Sequence, residues 1–265
     1  ENQDSDLAFE ALRSGAVDIM GKPAGHGERG LLNIKEELLS RIKAVARIRP
    51  IRLVRKALAH SPRIKLRGQQ ERREKVVVIG ASTGGPPALA VILKALPPDF
   101  PFPIDIVQHI APGFVTGLAQ WLNREAPFSA KVATNEEPLK AGTVYLAPDN
   151  AHLEIGTDKK ILLSNGPPVR GHRPSVDRLM ESAARSYGSQ TVGILLTGMG
   201  SDGAEGLKRI REAGGKTIVQ DEASSLVFGM PKEAILRGAA EIISPLEKIP
   251  EEIVRATPVE ERRLK

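Results

Sequence analysis

The sequence predicts an α/β fold, namely a doubly wound, mostly parallel sheet with helices on both faces and a small antiparallel β insertion. From Lys75 onward, short β-branched runs alternate with apolar segments at helical spacing. Such alternation favours parallel pairing with right-handed crossovers. Glycine and proline supply 25 and 20 of the 265 residues. Together they make up about 17% of the chain, above the average of roughly 12%. That excess indicates many sharp loops between elements.

The first 48 residues are too few to close a domain around one helix, one strand and another helix. We expect the end of a helix at Leu7–Ser14, a short strand at Ala16–Met20 and a helix at Leu31–Arg47, whose apolar residues recur at helical spacing. Residues 49–74 follow as a basic linker with proline and glycine but no sustained pattern.

The net charge of +6 comes from one region. Between Arg41 and Arg73 there are 12 basic residues and one acidic residue, whereas Val76 to Lys265 holds 21 basic and 22 acidic residues. A solvated linker is the leading interpretation, and a surface for an acidic partner is the second. No aromatic residue interleaves the basic run, so we predict no nucleic-acid partner.

Composition excludes several function classes. The chain has no cysteine, which excludes a disulfide scaffold, a Cys-ligated zinc site and a cysteine nucleophile. It has no apolar run long enough for a membrane span and no basic-then-apolar leader. We therefore predict a cytoplasmic protein without membrane insertion, and a piece of a longer chain because it does not begin with Met.

The body of the chain is predicted at residues 75–257, followed by a charged tail at 258–265. Its parallel strands are predicted at Val76–Ile79, Ile104–Gln108, Val192–Leu196, Lys216–Gln220 and Glu241–Ile243. Its helices are predicted at Pro86–Leu96, Phe114–Arg124, Ser175–Tyr187 with Ser175 as N-cap, Gly203–Ala213, Pro231–Arg237 and Ile249–Ala256. An antiparallel meander is predicted at Thr143–Leu146, His152–Ile155 and Lys160–Leu163, which turn pairs separate.

The first strand leads into a turn that contains a candidate nucleophile. Residues Gly80 to Gly85 read G-A-S-T-G-G, which fits a strand–G-x-S-x-G–helix nucleophile elbow with Ser82 at its centre. The competing interpretation is a phosphate-binding turn, because Gly80 and Gly85 match the outer glycines of G-x-G-x-x-G. Ser82 takes the middle glycine position, and no Lys follows. A purely structural turn is the third possibility.

His109 follows the second strand and is a candidate general base for Ser82, although a structural histidine is the alternative. The other four histidines are weaker candidates. His26 and His60 lie outside the body, His152 opens a predicted meander strand, and His172 lies in the Arg170–Arg173 loop, which follows no parallel strand.

Asp202 follows the third of these strands, in a loop rich in glycine. Its carboxylate could orient a histidine by accepting the second ring N–H. The alternative is an N-cap of the next helix, with Glu205 at capping-box spacing. The glycines exceed what a cap needs and would let the Met199 N–H approach a substrate.

The three candidates lie just past three different parallel strands, where open α/β sheets build their sites. Their order, Ser…His…Asp, differs from the Ser…Asp…His of α/β-hydrolases. The hydrolase order would need Asp105 or Asp149 with His172, and it is disfavoured because Asp105 lies inside a strand. A nucleotide-binding module would need an acidic ribose partner where the second strand ends in Gln108-His109. A DNA-binding response regulator is least favoured, since the body shows no helix-turn-helix signature.

Two stretches resemble known families. From about Lys75 to about Arg255 the chain resembles the CheB family of bacterial chemotaxis methylesterases in six ordered blocks: VVVIGASTGG, IVQHIAPGF, VYLAPDNAHL, RPSVDRLMESAA, LLTGMGSDGAEGL and VQDEASSLVFGMPKEA. Residues 1–48, with Lys22-Pro23 after GAVDIM, resemble the last third of a response-regulator receiver domain.

The CheB resemblance implies a role for each candidate residue. Ser82 would be the nucleophile, His109 the general base and Asp202 the group that orients it. The backbone N–H groups of Thr83 and Met199 would form the oxyanion hole. The reaction implied is hydrolysis of glutamate γ-methyl esters, with deamidation of specific glutamines, and it needs no metal or organic cofactor.

The resemblance also implies partners. The substrate would lie on the cytoplasmic helices of a methyl-accepting chemoreceptor, and a chemotaxis histidine kinase would act through the full-length receiver domain. The phosphoacceptor would lie upstream of residue 1, so we expect this chain not to respond to a phosphodonor. Arg170, Arg173 and Arg178 are candidates for steering acidic receptor helices; solvated loop charges are the alternative.

Overall fold

The computed structural model describes residues 2–21, 35, 38–39, 41–43, 45–46 and 74–257. The Lys22-Pro23 pair, the linker up to residue 73 and the tail at 258–265 lie outside the described residues. In the described ranges, every helix is too short or too polar to cross a membrane.

The body at residues 75–257 alternates strands and helices, as the sequence predicts. The strands are β1 (Val76–Ala81), β2 (Ile104–Gln108), β3 (Ser129–Val132), β4 (Thr143–Leu146), β5 (His152–Ile155), β6 (Ile161–Ser164), β7 (Thr191–Leu195), β8 (Lys216–Gln220) and β9 (Ile242–Ser244). The helices are α1 (Asn2–Arg13), α2 (Gly85–Ala95), α3 (Val115–Glu125), α4 (Val176–Tyr187), α5 (Ala204–Glu212), α6 (Met230–Leu236) and α7 (Ile249–Ala256). Short 3₁₀ turns at Gly188–Gln190 and Leu246–Lys248 precede β7 and α7.

Seven strands form one parallel sheet in the order β3-β4-β2-β1-β7-β8-β9. The chain builds outward from β1 on one side through β2, then returns to build on the other side through β7. Strand order therefore reverses at β1, which is where ligand sites form in such sheets. Every residue of β1, β2 and β7 is buried, as expected for central strands covered on both faces.

Helices cover both faces of the sheet and create two apolar layers. One layer packs α2, α3 and α7 against the sheet through residues such as Leu89, Leu118 and Ile253, and α1 joins the same apolar cluster. The other packs α4, α5, α6 and the β5–β6 hairpin through residues such as Met180 and Leu207. The predicted doubly wound architecture is confirmed.

The predicted three-stranded meander is wrong in one strand. Thr143–Leu146 pairs in parallel with β2 and β3 inside the main sheet, and only His152–Ile155 and Ile161–Ser164 form an antiparallel pair. A turn pair after a short apolar run does not specify which partner the run will find, and here the run pairs with β2 on one side and β3 on the other. β3, at Ser129–Val132, was not predicted at all.

The N-terminal piece packs on the body through α1. The Phe9 ring stacks on Trp121 of α3 with centroids 5.8 Å apart, and Leu12 is buried beside it. The predicted strand at Ala16–Met20 is wrong, because among the described residues no neighbour pairs with this segment; Asp18 instead forms an ion pair with Arg41 at 2.8 Å. Residues 35, 38–39, 41–43 and 45–46 are helical, in line with the predicted helix.

Candidate active site

The site lies at the carboxyl ends of three adjacent strands. β2, β1 and β7 are neighbours in the sheet, so the residues that follow them emerge side by side. The His109 N–H donates to the Ala81 carbonyl at 2.9 Å, and the Ser82 N–H donates to the Thr197 carbonyl at 3.0 Å. These bonds continue the sheet one step past the strands and bring the Ser82 and His109 segments together, as the sequence predicts.

Ser82 lies in a tight turn that closes with a bond from the Gly85 N–H to the Ser82 carbonyl at 2.7 Å. Gly84 adopts φ 78° at the N-terminus of α2, a conformation that favours glycine. A Cβ at Gly85 would lie 1.9 Å from the Gln108 side-chain oxygen. Ser82 itself is 8% exposed, so the turn holds this residue largely out of contact with solvent.

His109 and Asp202 are joined by a hydrogen bond of 3.0 Å from Nε2 to Oδ2. The Asp202 side chain is fully buried, and the His109 side chain is 9% exposed. The other ring nitrogen, Nδ1, is buried and has no hydrogen-bond partner among the described residues. In the neutral tautomer that donates Nε2–H to the carboxylate, Nδ1 carries no proton and can accept one.

Asp202 also receives three bonds at the N-terminus of α4. Its Oδ1 accepts from the Ser175 hydroxyl at 2.8 Å and from the Asp177 N–H at 3.0 Å. Its Oδ2 accepts from the Val176 N–H at 2.8 Å. The positive end of the α4 dipole therefore supports the carboxylate that holds His109.

The alternative role considered for Asp202, an N-cap of the next helix, is wrong. Gly203 occupies the N-cap of α5, and the carboxylate of Asp177 caps that helix instead, accepting from the Gly203 and Gly206 N–H groups at 2.9 and 2.8 Å. Glu205 pairs with an arginine one turn on. Asp202, in the loop before α5, thus accepts N–H bonds of α4, and Asp177, in the first turn of α4, accepts N–H bonds of α5.

The surroundings set the charge of Asp202. Burial by itself raises the pKa of this carboxyl, but the hydrogen bond and charge of His109 and the backbone N–H groups of Asp177 and Val176 outweigh burial and lower the pKa to about 2. The carboxylate is therefore ionised throughout the neutral range. Burial raises the pKa of Asp177.

The two predicted oxyanion donors flank Ser82. Thr83 follows it in the turn and is buried, and its carbonyl accepts from the Thr197 hydroxyl at 3.0 Å. Met199 follows Gly198, which lies so close that a Cβ there would be 2.7 Å from the Ser82 Cβ. Thr83 and the loop that carries Met199 therefore lie close to Ser82, and the role of their N–H groups as oxyanion donors stays a prediction.

The predicted arginines lie beside the site on the loop before α4 and on α4 itself. The Arg170 Nε donates to the Asp177 carboxylate at 3.1 Å. The Arg173 Nη1 donates to the carbonyls of Asn165 and Gly166 at 3.3 and 3.2 Å. Arg178 is half-buried in the first turn of α4. Two of the three therefore have structural partners.

In the described part of the chain, neither rival acidic residue forms a hydrogen bond with a histidine ring. Asp105 faces the core, neither of its oxygens has a partner among the described residues, and burial raises its pKa well above the ordinary value. Asp149 accepts from the Gly113 N–H at 2.7 Å. Within the described ranges, no group of three or more His, Cys, Asp or Glu residues is placed to hold a metal ion.

Sequence reasoning missed two residues at the site. His172, set aside because its loop follows no parallel strand, stacks on His109. Gln108 donates from Nε2 to the carbonyls of both Ser82 and His109, at 2.8 Å each, and so ties the two loops together. Both stand beside or within quoted blocks of the sequence, but nothing in the local pattern shows what their side chains contact.

Comparison with known proteins gives consistent matches to one family. A family model described as CheB methylesterase matches residues 77–253. The chain is 46% identical over 246 residues to a protein-glutamate methylesterase/protein-glutamine glutaminase of Anaeromyxobacter dehalogenans, covering 91% of this chain and 69% of that protein. It is 42% identical to the protein-glutamate methylesterase FrzG of Myxococcus xanthus, covering 91% and 71%. The crystal structure of the Thermotoga maritima CheB methylesterase catalytic domain superposes with a TM-score of 0.67 and 40% identity, covering 69% of this chain and 98% of that one.

Proposed function

The chain belongs to the CheB methylesterase family, and we propose that Ser82, His109 and Asp202 are the residues with which it works. It is a protein-glutamate methylesterase and protein-glutamine glutaminase, a hydrolase of chemotactic adaptation. The observation that carries the site assignment is the 3.0 Å bond between His109 and Asp202, which leaves the second ring nitrogen of His109 without a hydrogen-bond partner among the described residues. The nucleotide-binding alternative is not favoured.

The proposed reaction is acyl transfer through Ser82. The hydroxyl oxygen attacks the γ-carbonyl carbon of a methylated glutamate while His109 Nδ1 takes its proton. The N–H groups of Thr83 and Met199 stabilise the negative oxygen of the tetrahedral intermediate. When the intermediate collapses, His109 returns the proton to the leaving oxygen and methanol departs, or ammonia when the substrate is a glutamine.

Water then completes the cycle. It attacks the acyl-enzyme carbonyl while His109 removes one of its protons, and the second intermediate expels Ser82, which takes the proton back. The product is glutamate. Asp202 keeps its negative charge throughout and stabilises the imidazolium that forms twice in each turnover.

The substrate is proposed to lie on the cytoplasmic helices of a methyl-accepting chemoreceptor, and the protein is proposed to act in the cytoplasm. Arg170, Arg173 and Arg178 border the site and would attract acidic helices. Changing Arg178 to Glu tests steering most cleanly, because Arg170 and Arg173 hold backbone and carboxylate partners. We expect slower reaction with receptor and an unchanged rate with a small activated ester. Equal effects on both substrates would contradict steering.

Residues 1–48 are proposed to be the C-terminal part of a receiver domain, joined by the basic linker 49–74 to the catalytic domain 75–257 and the tail 258–265. The match to the Anaeromyxobacter relative extends over 246 residues, well beyond the family match at 77–253. A chemotaxis histidine kinase would act through the complete receiver. A rise in hydrolysis when this chain meets a small-molecule phosphodonor would contradict our expectation that it does not respond.

The decisive experiment measures methanol released from methylated receptor membranes. The wild-type chain is compared with Ser82→Ala and with Ser201→Ala, a matched change at a serine of the 197–203 loop. We expect Ser82→Ala to abolish release and Ser201→Ala to keep most of it. Substantial release by a folded Ser82→Ala variant would refute the nucleophile assignment.

A further inference from the structure

Two histidine rings, those of His109 and His172, lie face to face in the site, and the proposed reaction uses only His109. The rings of His109 and His172 are stacked with centroids 4.0 Å apart and planes 6° from parallel. They come from distant parts of the chain, the end of β2 and the loop between β6 and α4. The stack covers one face of the His109 ring, which helps to explain why that side chain is only 9% exposed.

A tight turn holds His172 in this place. The backbones of Val169 and His172 exchange two hydrogen bonds, of 3.0 and 2.9 Å, and the two residues between them, Arg170 and Gly171, have φ of 49° and 83°. Positive φ at both central residues defines the type I′ turn. Arg170 is a residue that rarely adopts this conformation, and its guanidinium is anchored on Asp177.

The rest of the loop is fastened as well. The Arg173 guanidinium donates to two carbonyls at the start of the loop. His152, which is fully buried, accepts the Ser175 N–H at Nδ1 and donates from Nε2 to the Pro167 carbonyl, at 3.2 and 3.1 Å. The loop that presents His172 is therefore fixed at its start, at its tip and at its end.

His109 needs such support. Its side chain has one hydrogen bond among the described residues, to Asp202, and a single bond to one ring nitrogen still permits the ring plane to tilt about it. A general base must keep its accepting nitrogen aligned with the proton it removes, and a displacement of about 1 Å in a catalytic group can cost 10²-fold in rate.

We propose that His172 is a positioning residue of the esterase reaction. The 169–172 turn presents its ring, which fixes the plane of the His109 ring so that Nε2 of His109 faces Asp202 while Nδ1 of His109 faces Ser82. This inference rests on the proposed role of His109. It assigns to the loop before α4 a part in the chemistry beyond any contact with the receptor. His172 acts through the flat face of its ring, so another flat ring should replace it.

The test compares His172→Ala, His172→Phe and a loop control, Pro168→Ala, with the wild-type chain. For His172→Ala we expect kcat to fall roughly 10- to 100-fold, with KM for methylated receptor within about twofold of wild type. Phosphonylation of Ser82 by a small organophosphorus reagent should slow by the same factor, since it needs the base but no receptor. His172→Phe should restore both rates to within about threefold of wild type, and Pro168→Ala should match wild type.

A double change separates positioning from other roles. If His172 acts through His109, then adding His172→Ala to His109→Ala should cause no further loss, because neighbours that work as a unit are not additive. The proposal is overturned by a wild-type kcat in His172→Ala, by a rise in KM with unchanged phosphonylation, by a Phe variant as slow as the Ala variant, or by additive losses. Activity retained by His109→Ala would instead overturn the proposed function itself.

Discussion

Replacing Asp202 with Asn tests two roles of this carboxylate at once, namely accepting the N–H groups at the start of α4 and holding the His109 ring. The carboxylate accepts two bonds on each oxygen, from His109 and Val176 on Oδ2 and from Ser175 and Asp177 on Oδ1. An amide has one oxygen and one NH₂ group, so one pair of donors must face another donor. The least costly arrangement places NH₂ toward Ser175, whose hydroxyl can turn to accept, and leaves the Asp177 N–H without a partner.

The expected cost follows from these contacts. An orphaned buried N–H costs about 1–3 kcal/mol, and the loss of the negative charge removes the interaction with the α4 dipole and with His109. A pKa lowered from 3.8 to about 2 corresponds to about 2 kcal/mol of stabilisation of the charged form. We therefore expect Asp202→Asn to lower the free energy of unfolding by about 2–4 kcal/mol and kcat by roughly 10³–10⁴-fold.

The matched control is Asp177→Asn, the other half of the cap exchange. Its amide oxygen can keep the bonds from Gly203 and Gly206, so only the pairing with Arg170 is lost. That arginine side chain is 42% exposed, and such a pair contributes about 1 kcal/mol or less. We expect Asp177→Asn to keep kcat within about tenfold of wild type.

The assay combines urea unfolding followed by circular dichroism with methanol release at a temperature where both variants are folded. If Asp202→Asn keeps more than a tenth of the wild-type kcat, the carboxylate does not support the base. If both Asn variants lose equal activity, the loss does not come from the bond between Asp202 and His109.

Three further predictions concern stability. Because the folded-state pKa of Asp202 lies below its unfolded value, its contribution is present above about pH 4 and is lost as the pH falls toward 2; acid unfolding should therefore show a drop of about 2 kcal/mol there that Asp202→Asn lacks. Asp105 has a raised folded-state pKa, so it opposes folding as the pH rises above its ordinary range; Asp105→Asn should raise the free energy of unfolding at pH 8 more than at pH 4, and an equal effect at both would contradict its burial as the neutral acid. Gly80→Ala should lower the free energy of unfolding by about 1–3 kcal/mol, because the new Cβ would lie 2.2 Å from a methyl of Val176. An unchanged urea midpoint would contradict this prediction and show that α4 can move away from β1.

The elements that could be predicted from sequence are those specified by local periodicity. β1 and β2 read as short β-branched runs, and α4 begins at the predicted N-cap Ser175, whose hydroxyl also accepts from the Arg178 N–H. The candidates Ser82 and His109 followed from one rule, that residues past the ends of parallel strands meet at one edge of the sheet. No knowledge of side-chain contacts was needed for that step.

The errors share a cause, which is that partners distant in sequence decided the outcome. Thr143–Leu146 has the same local pattern whether it joins a meander or a parallel sheet, and the available edge beside β2 decided the matter. Asp202 satisfies the local signature of a cap for α5, but Gly206 lies so close to Asp177 and Met180 that α4 and α5 start together. As a result, the Asp202 carboxylate accepts N–H bonds of α4, and the Asp177 carboxylate accepts those of α5.

The sequence by itself determined the fold class, the family and the positions of the proposed nucleophile and base, because these depend on residue order and on a periodicity that any stretch carries within itself. Only the tertiary structure decided which ring covers His109 and which helix supports Asp202. His172 follows His109 by 63 positions in the sequence, and its ring reaches the base because a strained turn and a buried histidine hold its loop there. Contacts of that kind arise from the packing of whole elements, and no local pattern encodes them.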